Sequence, residues 1–287
     1  MVNILSIQSW VAYGHVGNAS AVFPLQRLGA EVWAVNTVQF SNHTGYGAWR
    51  GSVHTGDSVR DVVDGIADRG VLGGCDAVLS GYVGGADIGD AILHAVASVR
   101  RANPRALYCC DPVIGDVGRG VFVRPGIEDF LRDHAVPAAD ILTPNRFELE
   151  RLTGHACPTL EAAKRAVLRL RADMHDQGPA CVLVTSLDTA ETPPDCLDML
   201  TFEAGGFHRL RTPRLALDIN GAGDAIAALF LFHRLRTGSA VAALEAAGSS
   251  IYGLLKRTAE AGSREILTVA AQEEFVSPSR LFHAETC

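Results

Sequence analysis

The 287-residue sequence has no apolar run approaching the roughly eighteen residues that a membrane-spanning helix needs. Its first residues, Met1-Val2-Asn3-Ile4-Leu5-Ser6, lack the basic start and long apolar segment of a secretory leader, so a cytoplasmic protein with no membrane partner is expected. Positive charge is also short: 25 Lys and Arg stand against 32 Asp and Glu, a net charge of -7. Nucleic acids and anionic surfaces attract clustered positive charge, so no nucleic-acid partner is expected. The seven cysteines (Cys75, Cys109, Cys110, Cys157, Cys181, Cys196 and Cys287) contain no Cys-x-x-Cys pair. That spacing argues against zinc and for reduced packing residues. Nor is there a Gly-x-x-x-x-Gly-Lys-Ser/Thr loop, which excludes a Walker-type phosphate cradle. No repeat, low-complexity tract or linker divides the chain. What is present is 48% hydrophobic residues, enough for a sizeable core, and a single domain over 1–287 directed at a small molecule is the expectation.

The stretch with the most chemical content is Asp218-Ile219-Asn220-Gly221-Ala222-Gly223-Asp224-Ala225, running into an apolar segment up to Phe232. Two glycines and an alanine let the backbone approach a ligand, and the residues beyond read as a helix with Asp224 in its first turn. Unpaired N–H groups at a helix start and the positive end of its dipole stabilise a phosphate or a developing negative charge. A carboxylate among them can take a proton. Because 225–232 is apolar on nearly every side, the helix should be buried and its start rigid. Taken alone, the motif also fits an ordinary capped turn.

Before it, strand-like and helix-like segments alternate. Strands are expected at 3–8, 31–36, 76–80, 107–110, 140–143 and 181–185, and helices at 58–69, 87–102, 126–134 and 159–173. Residues 188–196 read as an exposed loop, 198–203 with 207–211 as a hairpin around Gly205-Gly206, and 239–257 as a second long helix, with 269–282 mixing a helical piece and a frayed end. The pattern implies an α/β fold with a mostly parallel central sheet and helices on both faces, a three-layer α/β/α arrangement. In such sheets ligands bind beyond the carboxyl ends of the strands. There the sequence places Ser9, the 37–47 loop, Ser80-Gly81-Tyr82, Asp111-Pro112, Thr143-Pro144-Asn145 and Thr185-Ser186.

Six segments in this order resemble the ribokinase-like superfamily, and within it the pyridoxal kinases, over essentially the whole chain. They are Gly14-His15-Val16-Gly17-Asn18 with Phe23 to Gly29, Asn36 to Tyr46, Ser80-Gly81-Tyr82, Cys110 to Asp116, Thr143 to Glu148, and the Gly-Ala-Gly-Asp turn. The resemblance implies ATP-dependent phosphorylation of the 5'-hydroxymethyl group of pyridoxal, with pyridoxine and pyridoxamine left open as substrates. It implies Asp224 as catalytic base and the amides of Gly221, Ala222 and Gly223 as the anion hole. Ser9, His43, Thr44, Gly45, Tyr82 and Asp224 match the substrate pocket. Asp111, Thr143, Glu148, Thr185, Thr212, Pro213, Arg214 and Leu215 match nucleotide-site positions, and Asn145 with Glu148 matches the pattern associated with magnesium. It further implies ATP and Mg2+, allows a monovalent cation, and suggests a homodimer.

Several of these residues have ordinary alternatives. Ser9 fits a turn, Tyr82 a half-buried aromatic, His43 a solvated loop residue, Asp111 a strand end before proline, and Glu148 an exposed helix residue beside Glu150 and Arg151. Two departures from the family stand out. Some members carry a cysteine where this chain has Gly120-Val121-Phe122, so thiol chemistry does not carry over. Thr185-Ser186 follows the pattern of members with threonine, rather than lysine, near the nucleotide phosphates, which removes one positive charge. The rivals are a hydroxymethylpyrimidine or sugar kinase on the same fold, and a non-catalytic pyridoxal carrier.

Overall fold

The computed structural model describes residues 1–203 and 205–287. The chain begins β1 (Asn3–Val11), α1 (Asn18–Arg27), β2 (Glu31–Phe40), the short β3 (Gly51–Val53), α2 (Gly56–Ala67), β4 (Ala77–Ser80), α3 (Ala86–Ala102) and β5 (Leu107–Cys110). A small hairpin, β6 (Gly115–Asp116) and β7 (Gly120–Val121), leads to α4 (Ile127–Phe130), a π turn over Leu131–Ala135 and α5 (Val136–Ala138). Then follow β8 (Ile141–Leu142), α6 (Arg146–Thr153), α7 (Leu160–Ala172), β9 (Cys181–Leu187), the hairpin β10 (Cys196–Glu203) and β11 (Gly206–Pro213), α8 (Ala222–Thr237), α9 (Ala240–Glu260), α10 (Glu273–Val276) and β12 (Glu285–Thr286).

Among the described residues, ten strands form one sheet in the order β12-β11-β10-β9-β8-β5-β4-β1-β2-β3. The run from β2 through β9 is parallel, while β3 and the β10–β12 flank are antiparallel. The chain leaves β1 on one side to make β2 and returns on the other to make β4, so the loops after β1 and β4 diverge and open a crevice between them.

Side-chain alternation explains the three layers. Leu5, Ile7, Val78, Tyr108, Leu142 and Val182 point to a core shared with α2, α3, α4, α6 and α7. Ile4, Ala77, Leu79, Cys109, Ile141 and Cys181 point to the opposite core, shared with α1, α8, α9 and α10. A strand buried on both faces reads as a nearly continuous apolar run, which is why these segments were visible in the sequence. Helix α8 is buried from Ala225 through Phe232, as its lack of a polar face requires. All seven cysteines are free thiols, five of them buried.

Several boundaries differ from the sequence expectation. β1 continues to Val11, with a register shift between Gln8 and Trp10, so Ser9 lies in a bulge inside the strand rather than after it. β2 continues to Phe40 and β9 to Leu187, which places Thr185 and Ser186 within a strand. The helix expected at 126–134 is broken by the π turn ahead of Pro137, which has no N–H to continue the ladder. The loop at 188–196 is not wholly exposed, because Thr189 and Thr192 are buried under it and Thr192 Oγ1 donates to Asp198. Short β3, β6, β7 and β12 carry too few residues to show a period.

Candidate active site

The start of α8 lies at the crevice. Gly221 caps the helix at φ 86°, and a side chain there would collide with the carbonyl oxygen of His15. Only glycine satisfies both constraints. Its carbonyl accepts from Ser20 Oγ (2.7 Å) and from the Ala225 amide (3.1 Å), which fixes the turn against α1. Ahead of that first helical bond, the amides of residues 222–224 have no intrahelical acceptor.

Asp224 is half-buried in the first turn. Loss of water around it pushes its carboxyl up to about 6, although the Gly17 amide and its own amide pull the other way. Gly81 sits beside it, where a Cβ would lie within 3.5 Å of Asp224 Oδ1 and press on Gln8. Thus Gly17 after β1, Gly81 after β4 and Asp224 on α8 converge on one point. Ser9 lines the same corner, since a Cβ on Gly17 would meet the Ser9 hydroxyl and carbonyl. A buried chain of hydrogen bonds braces this region from below: Gln8 Nε2 donates to Ser6 Oγ (3.0 Å), Ser6 Oγ donates to Asn18 Oδ1 (2.7 Å), and Asn18 Nδ2 donates to Asn36 Oδ1 (2.8 Å).

The second carboxylate, Asp111, directly follows β5 and is 5% exposed. Thr143 Oγ1 donates to its Oδ1 (2.9 Å). Desolvation, and next the negative charge of Asp224, push Asp111 up to about 7. The third, Glu148, belongs to a capping box at the start of α6. Asn145 Oδ1 accepts from the Glu148 amide (2.9 Å) and Glu148 Oε2 accepts from the Asn145 amide (2.8 Å). Glu148 Oε1 accepts from the Ile114 amide (3.0 Å), and Asn145 Nδ2 donates to the Gly115 carbonyl (2.8 Å). Glu148 is therefore buried, not the exposed helix residue that its neighbours Glu150 and Arg151 suggest. Burial, and then the charge of Asp111, hold its carboxyl well above the usual range.

Thr185 pairs beside Asn145, its amide donating to the Pro144 carbonyl (2.9 Å), so it borders this carboxylate group. Thr212 is buried in β11 with its hydroxyl on the Leu197 carbonyl (3.5 Å). Arg214 pairs with Asp188 (2.7 Å) and donates to the Pro194 carbonyl, tying 213–215 to the 188–195 loop. On the other side, His43 Nδ1 accepts from the Gly45 amide (3.1 Å) and caps the short turn Thr44–Tyr46. That contact requires an unprotonated Nδ1. Burial, and then the Arg119 guanidinium, lower the pKa of His43, consistent with a neutral ring. Thr44 and Gly45 are exposed, and Gly45 faces the Asn220 side-chain amide. Tyr82 is half-buried against the α2–α3 core.

The structure thus brings Ser9, Asp111, Thr143, Asn145, Glu148, Thr185 and Asp224 to one end of the sheet, with the Thr44–Tyr46 turn in front. Three further residues join them without having been assigned a role from the sequence. Glu265 accepts from the His15 amide (3.1 Å) and from Tyr46 Oη (2.6 Å), tying the loop after β1 to the turn in front. Arg119, on the turn between β6 and β7, donates from Nη2 to Asn220 Oδ1 (2.9 Å). Asn220 was legible as part of the Gly-Ala-Gly-Asp stretch; nothing local marks Arg119 or Glu265.

Among known proteins, the family model for phosphomethylpyrimidine kinases matches residues 66–269. A pyridoxal kinase PdxY of Granulibacter bethesdensis is 70% identical over 286 residues, covering 100% of both chains. One from Rubrobacter xylanophilus is 56% identical, covering 96% of this chain and 94% of its own. Among solved structures, the pyridoxal kinase of Leishmania donovani in complex with ADP and pyridoxamine superposes with a TM-score of 0.90 at 28% identity, covering 100% of both chains. The same enzyme with ADP and pyridoxine gives a TM-score of 0.90, covering 99% of both.

Proposed function

The chain belongs to the pyridoxal kinases of the ribokinase-like superfamily, and from that membership we propose a division of labour for the residues gathered at the start of α8. The reaction is ATP-dependent phosphorylation of pyridoxal at its 5'-hydroxymethyl group in vitamin B6 salvage. Asp224 carries the reading: a carboxyl raised to about 6 beside unpaired helix-start amides can hold an alcohol proton at neutral pH. The alcohol oxygen bonds to the γ-phosphorus while the bond from that phosphorus to the β–γ bridging oxygen breaks. The alcohol proton passes to Asp224, and ADP leaves with the electron pair. The amides at 221–223 face the charge on the phosphoryl oxygens, which in a loose transition state is most of what the protein must neutralise.

Ser9, His43, Thr44, Gly45 and Tyr82 form the wall for the pyridine ring. Asp111, Thr143, Glu148, Thr185 and 212–215 form the nucleotide side. The donor set fits Mg2+: Asp111 and Glu148 are buried carboxylates that lack an ion pair among the described residues, and burial, followed by the charge of Asp224 on Asp111 and of Asp111 on Glu148, raises their proton affinity, a condition that a divalent cation relieves. Both Glu148 oxygens and the Asn145 side chain are already engaged by backbone groups, so they would act on the ion through water while Asp111 approaches it more closely. When bound, Mg2+ neutralises charge on the ATP phosphates. The unit would be one ribokinase-like domain, working in the cytoplasm as a homodimer.

The test is an ATP and Mg2+ assay with pyridoxal beside pyridoxine, hydroxymethylpyrimidine and ribose. Preferential phosphorylation of pyridoxal is expected. A win for hydroxymethylpyrimidine would leave the fold and the base in place and overturn the pocket assignment. Binding of pyridoxal with no transfer would favour a carrier.

A further inference from the structure

The site is rich in carboxylates and poor in free cations. The chain has only two lysines, Lys164 and Lys256, which pair with Glu161 and Glu260 on outer helices. Arg146, Arg211 and Arg214 on the nucleotide side pair with Glu150, Asp198 and Asp188. Arg119 is different. It makes no ion pair among the described residues; its Nη2 is held by a neutral acceptor, Asn220 Oδ1, and its guanidinium lies 5.1 Å from the centroid of the Phe122 ring. Asn220 immediately precedes the helix-start amides. The hairpin that carries Arg119 is rooted at Gly115, whose carbonyl accepts from Asn145 Nδ2 and whose Cα packs on the Gly120 carbonyl. An exposed cation is therefore tethered to the residue immediately ahead of the anion hole, on a hairpin clamped to the nucleotide-side cap.

We propose that Arg119 is a catalytic residue, contributing positive charge to the phosphoryl group during its transfer. The proposal rests on the kinase reading above. A guanidinium held by an amide oxygen keeps its full charge and has further N–H groups to offer, whereas one held by a carboxylate would be neutralised in advance. The bonds formed and broken are unchanged; Arg119 neutralises charge on the γ-phosphoryl oxygens while they pass between ADP and the alcohol.

The test compares Arg119→Gln, Arg119→Lys and, as a charge control on the same exposed segment, Arg124→Gln. Arg119→Gln should lower kcat by about a hundredfold or more, with the KM for pyridoxal and the Kd for ADP within about twofold of wild type. Arg119→Lys should restore part of kcat, and Arg124→Gln should leave it unchanged. Binding of ADP with aluminium fluoride, a mimic of the phosphoryl in transit, should weaken in Arg119→Gln while binding of ADP alone does not. A kcat for Arg119→Gln within twofold of wild type, an equal loss in Arg124→Gln, or unchanged fluoroaluminate binding would overturn the proposal. If wild type failed to phosphorylate pyridoxal, the substrate reading would fall, and the fluoroaluminate comparison would still decide the role of Arg119.

Discussion

Replacing Asp111 by asparagine should stabilise the ligand-free protein at alkaline pH while disabling it. A carboxyl whose pKa is higher in the folded than in the unfolded state makes the folded state the better proton binder. Stability is then greatest below the unfolded pKa and falls as pH rises through the folded one. For Asp111 that window runs from 3.8 to about 7. Each unit is worth about 1.4 kcal/mol, so the buried charge costs about 4 kcal/mol at pH 8 and under about 2 kcal/mol at pH 5. Asparagine keeps an oxygen for Thr143 but introduces a buried N–H pair that costs about 1–3 kcal/mol if it finds no acceptor. The net expectation is a variant more stable than wild type by about 1–3 kcal/mol at pH 8 and no more stable at pH 5. Removing this charge also relieves Glu148, which works in the same direction. Urea unfolding of both proteins at pH 5, 6, 7 and 8, without nucleotide or Mg2+, reads the difference directly. A gap that is absent at pH 8, or that does not change with pH, would refute the claim that Asp111 is held charged against desolvation and the field of Asp224.

Asp224→Asn should lower kcat by about 10²–10⁴-fold while pyridoxal still binds, and isothermal titration beside steady-state kinetics separates the two. Because the Asp224 carboxyl is raised to about 6, kcat/KM of wild type should climb as pH rises through that value and level off above it; full activity at pH 5 would exclude Asp224 as the base. Gly221→Ala should unfold at least about 2 kcal/mol more easily and lose transfer, since alanine is disfavoured at φ 86° and would meet the His15 carbonyl; a fully active, equally stable protein would show that the turn is not held as described. Thr185→Lys should raise turnover, and more so in the Arg119→Gln background than in wild type; kinetics with no gain in either background would sink the idea that a positive charge is missing there.

The sequence alone determined what nearest neighbours along the chain can encode. The strand and helix alternation and the buried α8 are products of period and composition, so they were legible without coordinates; the Asn145-x-x-Glu148 spacing was legible only as a magnesium-associated pattern, not as the buried cap it forms. Tertiary structure decided which distant loops meet. The bulge at Ser9 depends on register with β2, the raised proton affinity of Asp111 on its burial and then on the charge of Asp224 across the crevice, and the Arg119–Asn220 contact on residues 101 positions apart. Glu265 reaches His15 and Tyr46 across 250 and 219 positions. Such pairs leave no local period or motif, because their geometry is set by where the β1 and β4 loops diverge in the finished sheet. A short hairpin with one arginine reads as plain surface until the fold brings that arginine to Asn220, just ahead of the start of a helix.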